Sequence, residues 1–95
     1  MQIIWDANKA KTNLTKHKVA FMEAQTVFDD FLAAIFADVL HSDFEERSVI
    51  VGYSSQNRLL IVSFAEHELS IRIISARLAT KLERLKHEQE TGFGE

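Results

Sequence analysis

Between Leu69 and Leu85 the spacing of apolar residues changes period, and the change marks a strand running into a helix. From Leu69 to Ile74 apolar positions alternate, with Leu69, Ile71 and Ile73 on one side and Ser70, Arg72 and Ile74 on the other. The β-branched residues there suit a pleated surface, so the segment predicts a strand. After Ser75-Ala76, Leu78, Leu82 and Leu85 recur at i, i+4 and i+7, which is one face of a helix. On that helix Arg77, Lys81 and Arg84 make a second stripe roughly 90° around the cylinder. Glu83 is expected to point away from it.

The remaining elements follow from the same two periods. Ile3-Ile4-Trp5 reads as a short strand or an extended anchor, and Asp6 as the N-cap of a helix from Ala7 that buries Ala7, Ala10 and Leu14 and stops near His17-Lys18. A second helix runs from Ala20 or Phe21 to Asp29, with Phe21, Ala24, Phe28 and Phe31 as its core stripe. Leu32 to Ala37 is a strand or a continued helix, and Asp38 to Glu46 an exposed acidic loop. Arg47 to Tyr53 and Arg58 to Ala65 form a hairpin across the turn residues Ser54 to Asn57, and Glu66-His67-Glu68 turns the chain into the strand at Leu69. The fold class is α+β: two helices, an antiparallel meander, then a C-terminal helix. Residues 89–95 are expected to fray.

Ninety-five residues, 46% of them hydrophobic, make a single domain over 1–95 with enough core to fold alone. No apolar stretch reaches the ~20 residues of a membrane span, and the first residues lack a signal peptide's pattern, so the expectation is a cytoplasmic protein with no membrane partner. Without cysteine there are no disulfides, thiolate ligands or thiol nucleophiles. His17, His41, His67 and His87 show no paired-ligand spacing, and the expectation is no metal and no cofactor.

The net charge of −3 hides a segregation. Lys9, Lys11, Lys16 and Lys18 come first, an acidic middle runs from Glu23 to Glu46, and arginines and lysines return from Arg47 onward. If the two basic parts meet in space, one face is positive. Arg72, Arg77, Lys81 and Arg84 then either flank a solvated helix or form a pocket for phosphate, where arginine's planar fork suits phosphate oxygens. Glu66, His67 and Glu68 are the one local grouping resembling an acid-base set, and also simply a turn.

Four stretches in order, Trp5 to Phe21 (WDANKAKTNLTKHKVAF), Glu23 to Asp30 (EAQTVFDD), Glu45 to Val62 (EERSVIVGYSSQNRLLIV) and Ile71 to Arg84 (IRIISARLATKLER), resemble the BrnT family of type II toxin–antitoxin toxins, which share the RelE-like ribonuclease fold. The resemblance implies a metal-independent endoribonuclease that halts translation by cleaving RNA. It also implies a BrnA-type ribbon-helix-helix antitoxin as partner, operator DNA reached only through that antitoxin, and a homodimer within the complex. Under it Arg72, Arg77, Lys81 and Arg84 are the catalytic candidates, and Glu66, His67 and His87 are candidates for acid and base on residue type alone. Arg47, Arg58, Lys16 and Lys18 are further RNA-binding candidates.

The chain departs from the family at Ala7, Lys18 and Ala20, where proline, glycine and a capping serine are usual, each a matter of stability. Leu78, Leu82 and His87 stand where basic residues or tyrosine are frequent. Fewer cations weaken phosphate binding, which leaves a second function open: a BrnT-like binding module that only engages its antitoxin and modulates repression.

Overall fold

The computed structural model describes residues 1–42 and 45–92. Asp43 of the acidic stretch and the last three residues of the expected frayed tail lie outside them. The elements in order are β1 (Gln2–Trp5), α1 (Ala7–His17), α2 (Phe21–Ala24) continued by a 3₁₀ turn (Gln25–Asp29), β2 (Ala34–Ala37), a second 3₁₀ turn (Val39–His41), β3 (Arg47–Tyr53), β4 (Leu59–His67), β5 (Ser70–Leu78) and α3 (Lys81–Thr91). The fold is α+β, three helices on a five-stranded sheet of order β1-β5-β4-β3-β2. β2 to β5 form the expected antiparallel meander, and β1 returns beside β5 in parallel, with Ile3 opposite Ile71 and Trp5 opposite Ile73.

One face of the sheet carries the core. Ile50, Leu60, Val62, Phe64, Ile71, Ile73 and Ala76 meet Val19, Phe21, Ala24 and Val27 from the helical segment. Each fully buried large side chain of this set contributes about 1.5–3 kcal/mol by leaving water. The Trp5 and Phe28 rings stand edge-on to Phe21 and Phe64. Asp6 caps α1 as expected, its side chain accepting from the Asn8 and Lys9 amides.

Several expectations are corrected by the local geometry. Leu14 is half exposed, and the residue that α1 buries is Asn13. Asn13 Nδ2 donates to the carbonyls of Val19 and Ala76 at 2.9 and 2.8 Å, and its Oδ1 accepts from the Ala76 amide at 3.1 Å, which pins α1 to β5. Phe31 is 98% exposed, because the helical segment ends at Asp29 and Asp30 turns extended. Lys18 adopts φ 59°, the left-handed conformation that glycine takes more cheaply. Gly52 has no room for a side chain: a Cβ there would come within 2.8 Å of Ala33 Cβ.

The largest correction concerns Leu69 to Leu85. β5 continues to Leu78, and the helix begins only at Lys81, after a capping box of Thr80 and Glu83. Arg77 therefore stands on a strand and shares no helix face with Lys81 and Arg84. The i, i+4, i+7 spacing spans a strand-helix junction, so the leucine stripe does not exist as a buried face. Leu82 is 77% exposed, and the residue α3 buries is His87. The helix also runs through Gln89 and Glu90 to Thr91. Glu66 and His67 belong to β4, leaving Glu68, at φ 55°, and Leu69 to make the turn, so Leu69 is exposed and not the first residue of β5.

Candidate functional site

The face of the sheet opposite the core is covered only in part. Register across β3, β4 and β5 sets its side chains in rows: Val51, Ile61 and Arg77; Val49, Ser63 and Ser75; Arg47, Ala65 and Arg72. The chain of α3 passes over the first row, where Glu83, Lys86, His87 and Glu90 enclose with Phe36, Val51 and Ile61 a cavity of about 270 Å³. His87 is seated there with its ring 6.1 Å from that of Tyr53 and its Nε2 buried without a hydrogen-bond partner. The Tyr53 hydroxyl donates to Glu88 at 3.4 Å, and burial raises its pKa.

Arg72 and Arg77 emerge on this face together. Ser63 pairs with Ser75 and Phe64 with Ile73, so Ile74 is an extra residue that reverses the alternation. Their partners on β4, Ala65 and Ile61, are four residues apart, which puts the two arginines roughly 13 Å from each other at the backbone. They are two stations along one face and do not close into a single phosphate pocket with Lys81 and Arg84.

Each arginine has a carboxylate partner within the chain. Arg77 grips Glu83 with two parallel bonds, Nη1 to Oε1 at 2.8 Å and Nη2 to Oε2 at 2.9 Å, and Glu83 also accepts from the Thr80 amide. These bonds hold the Glu83 carboxyl at about 2. Glu83 thus points toward Arg77, the reverse of the expectation, because the arginine approaches from the strand. Arg72 Nη2 donates to Glu45 Oε1, and Arg47 Nε lies 3.9 Å from the same oxygen. The Arg72 bond is the main cause holding the Glu45 carboxyl below its ordinary range.

The two basic ends of the sequence do meet. Lys9 and Lys16 of α1, with Asn8 and His17, line an open cavity of about 310 Å³ against Ile74 and Ser75 of β5, and Lys9 also acts on the Glu45 charge. Of the acid-base candidates, His67 is exposed on the same face as Arg72, diagonal to it across the β4-β5 pair, where neighbouring residues are about 7–8 Å apart. Glu66 pairs with Ile71 and so lies toward the opposite face.

Arg58 and Lys18 sit elsewhere. Arg58 Nε donates to Glu23 Oε2 at 2.9 Å, its Nη2 bonds Glu23 Oε1, and it reaches the Lys18 carbonyl at 3.3 Å. Glu23 is 5% exposed and accepts from Ser54 Oγ at 2.6 Å. Arg58, with Ser54, holds the Glu23 carboxylate ionised against the burial that opposes it. This is a structural pair tying α2 to the β3-β4 turn. Lys81 and Arg84 lie on the exposed side of α3.

Sequence reasoning missed Glu45. It stands in the acidic run, and nothing in its spacing to Arg72, 27 residues away, signals the contact. No group of three or more His, Asp or Glu among the described residues is placed to hold a metal, and no helix among them is long and apolar enough to cross a membrane.

Residues 5–83 match a family described as the ribonuclease toxin BrnT of type II toxin–antitoxin systems. The fold is similar to the crystal structure of the ribonuclease toxin BrnT of Brucella abortus, with a TM-score of 0.66 and 25% identity over 85% of this chain and 99% of that one. No curated protein matches the chain.

Proposed function

The chain belongs to the BrnT family of ribonuclease toxins from type II toxin–antitoxin systems, and from that premise we propose that it cleaves RNA without a metal and thereby inhibits translation. The observation that carries the reading is Arg72. Its guanidinium stands on an open sheet face beside Arg47, with one amino group on Glu45 and its other N–H groups unengaged among the described residues.

The ribose 2′-OH attacks the adjacent phosphate, and Arg72 stabilises the charge that grows on the phosphorane-like transition state. His67, on the same face, serves as the general acid in this reading. Arg77, released from Glu83 or reaching past it, holds the backbone further along. Lys9 and Lys16 line the edge where flanking phosphates would run. Lys81 and Arg84 continue the positive surface on α3. Arg58 and Lys18 act in folding, and His87 acts in seating α3.

The antitoxin is proposed to be of the BrnA type, with a ribbon-helix-helix part that carries all contact with operator DNA in a complex containing two toxins. The outer side of α3, where exposed Leu82 and Leu85 lie among Lys81 and Arg84, suits an acidic, apolar segment of that partner. A cytoplasmic setting and a single toxin domain over residues 1–95 complete the reading.

A second reading, a module that engages only the antitoxin, is favoured by the carboxylates already on Arg72 and Arg77. Expression without antitoxin separates the two. Arrest of growth and protein synthesis, relieved by Arg72→Ala in a protein that still folds, is the expected result. Arrest of equal depth by the variant would overturn the assignment, and no arrest by the natural protein would select the binding module.

A further inference from the structure

We propose that Glu45 is the general base of the cleavage reaction, taking the proton from the attacking 2′-OH through its Oε2 atom. The inference rests on the ribonuclease reading and names a residue that reading leaves open.

A base for this reaction must satisfy a narrow geometric condition. The 2′-oxygen and the phosphorus it attacks are neighbours in the same nucleotide linkage, so base and phosphate-binding group must be neighbours as well. Glu45 meets this through its bond with Arg72: Nη2 takes Oε1, and the rest of the guanidinium remains for phosphate. Oε2 has no hydrogen bond from a described residue and is left to accept a proton. Arg47, whose Nε is buried without a hydrogen-bond partner 3.9 Å from Oε1, adds a second positive charge beside the same oxygen.

Five other carboxylates are occupied or misplaced. Glu83 has both oxygens on Arg77 and one also on Thr80. Glu66 lies toward the other face, and Glu23 is buried under Arg58. Asp30 accepts from the Tyr53 and Leu32 amides, and Asp38 faces His41.

The step balances without a further reactant. The 2′-OH proton passes to Glu45 Oε2 as the 2′-oxygen bonds phosphorus. The bond from phosphorus to the 5′-oxygen breaks, and a protonated His67 supplies the proton that the leaving oxygen takes. The products are a 2′,3′-cyclic phosphate and a 5′-hydroxyl. Exchange with water restores both side chains.

Glu45→Gln is the direct test, because glutamine still accepts from Arg72 but cannot take the proton. Cleavage of a short RNA oligonucleotide, and of ribosome-bound message, is followed against pH for the natural protein, Glu45→Gln and Glu45→Ala. The expected result is a fall in kcat of about 10²–10⁴-fold for Glu45→Gln with KM little changed. The acid limb of the natural pH profile should disappear, and formate should restore part of the rate to Glu45→Ala. Cleavage by Glu45→Gln within a few-fold of the natural rate, or a raised KM and lowered melting temperature with the pH profile intact, would overturn Glu45 as base and leave the ribonuclease reading standing. No cleavage of either substrate by the natural protein would overturn both.

Discussion

Arg72 and Arg77 stand on the same face of β5 although five residues separate them, an odd spacing that would place them on opposite faces of a regular strand. The unpaired Ile74 between them makes the difference. One inserted residue thus decides whether Arg77 joins the positive edge or turns under the helices. It also brings Ala76 rather than Ser75 to the core side, where Asn13 bonds its backbone.

That bond gives the first prediction. Asn13 is buried, and Asn13→Ala would leave the Ala76 amide and two carbonyls without their partner. The expected loss is about 2–4 kcal/mol of unfolding free energy, read as a lower urea midpoint with unchanged m-value. A loss within 0.5 kcal/mol, the roughly neutral range of surface substitutions, would show that α1 is held to β5 by other contacts.

Removing one partner of the Glu23 and Arg58 pair strands a charge. Arg58→Ala leaves the almost fully buried Glu23 carboxylate with only Ser54 Oγ, a change of the kind that costs about 3–5 kcal/mol for buried pairs, with less expected here because Arg58 itself is one-third exposed. Chemical denaturation measures it. Cleavage per folded molecule should be unchanged, since Arg58 is fixed away from Arg72. A folded Arg58→Ala protein with weakened RNA affinity would return Arg58 to the RNA surface.

The Arg77 and Glu83 clamp sets a pH window. The Glu83 carboxyl lies at about 2 in the folded protein against an ordinary 4.5, so the clamp's contribution to stability is full above 4.5 and lost as pH falls through about 2. The natural protein should exceed Glu83→Gln by no more than about 1 kcal/mol at neutral pH, because both side chains are over a third exposed and screened. The difference should vanish near the folded value. Unfolding midpoints across that range give the answer, and a difference that grew with acid would contradict the assignment.

These residues also show where the sequence was legible. Strict alternation from Arg47 to Tyr53 and a polar turn gave the first strand of the hairpin to the residue and the second within two, because a half-buried strand imposes its period on its own side chains. Asp6 was legible as a cap because its oxygen serves amides two and three residues on. At Ala76 to Leu78 the reading failed: β5 outlasts its apolar run, and its last turn of alternation happens to continue the helical spacing of Leu82 and Leu85. Asn13 was invisible for another reason, since a buried polar residue is revealed by its distant partners and not by periodicity. The family match placed the arginines in a toxin but left open which carboxylate each would meet. Glu45 reaches Arg72 only through the pairing of β3, β4 and β5.

In the proposed reaction this open face cleaves RNA through Arg72 and Arg77 without a metal. Its most direct test is incubation of purified RNA with the isolated protein in excess EDTA, beside an Arg72→Ala, Arg77→Ala double variant whose folding is verified by circular dichroism. The expected result is cleavage by the natural protein and none by the variant. Equal cleavage by both, or cleavage by the natural protein that EDTA abolishes, would contradict it.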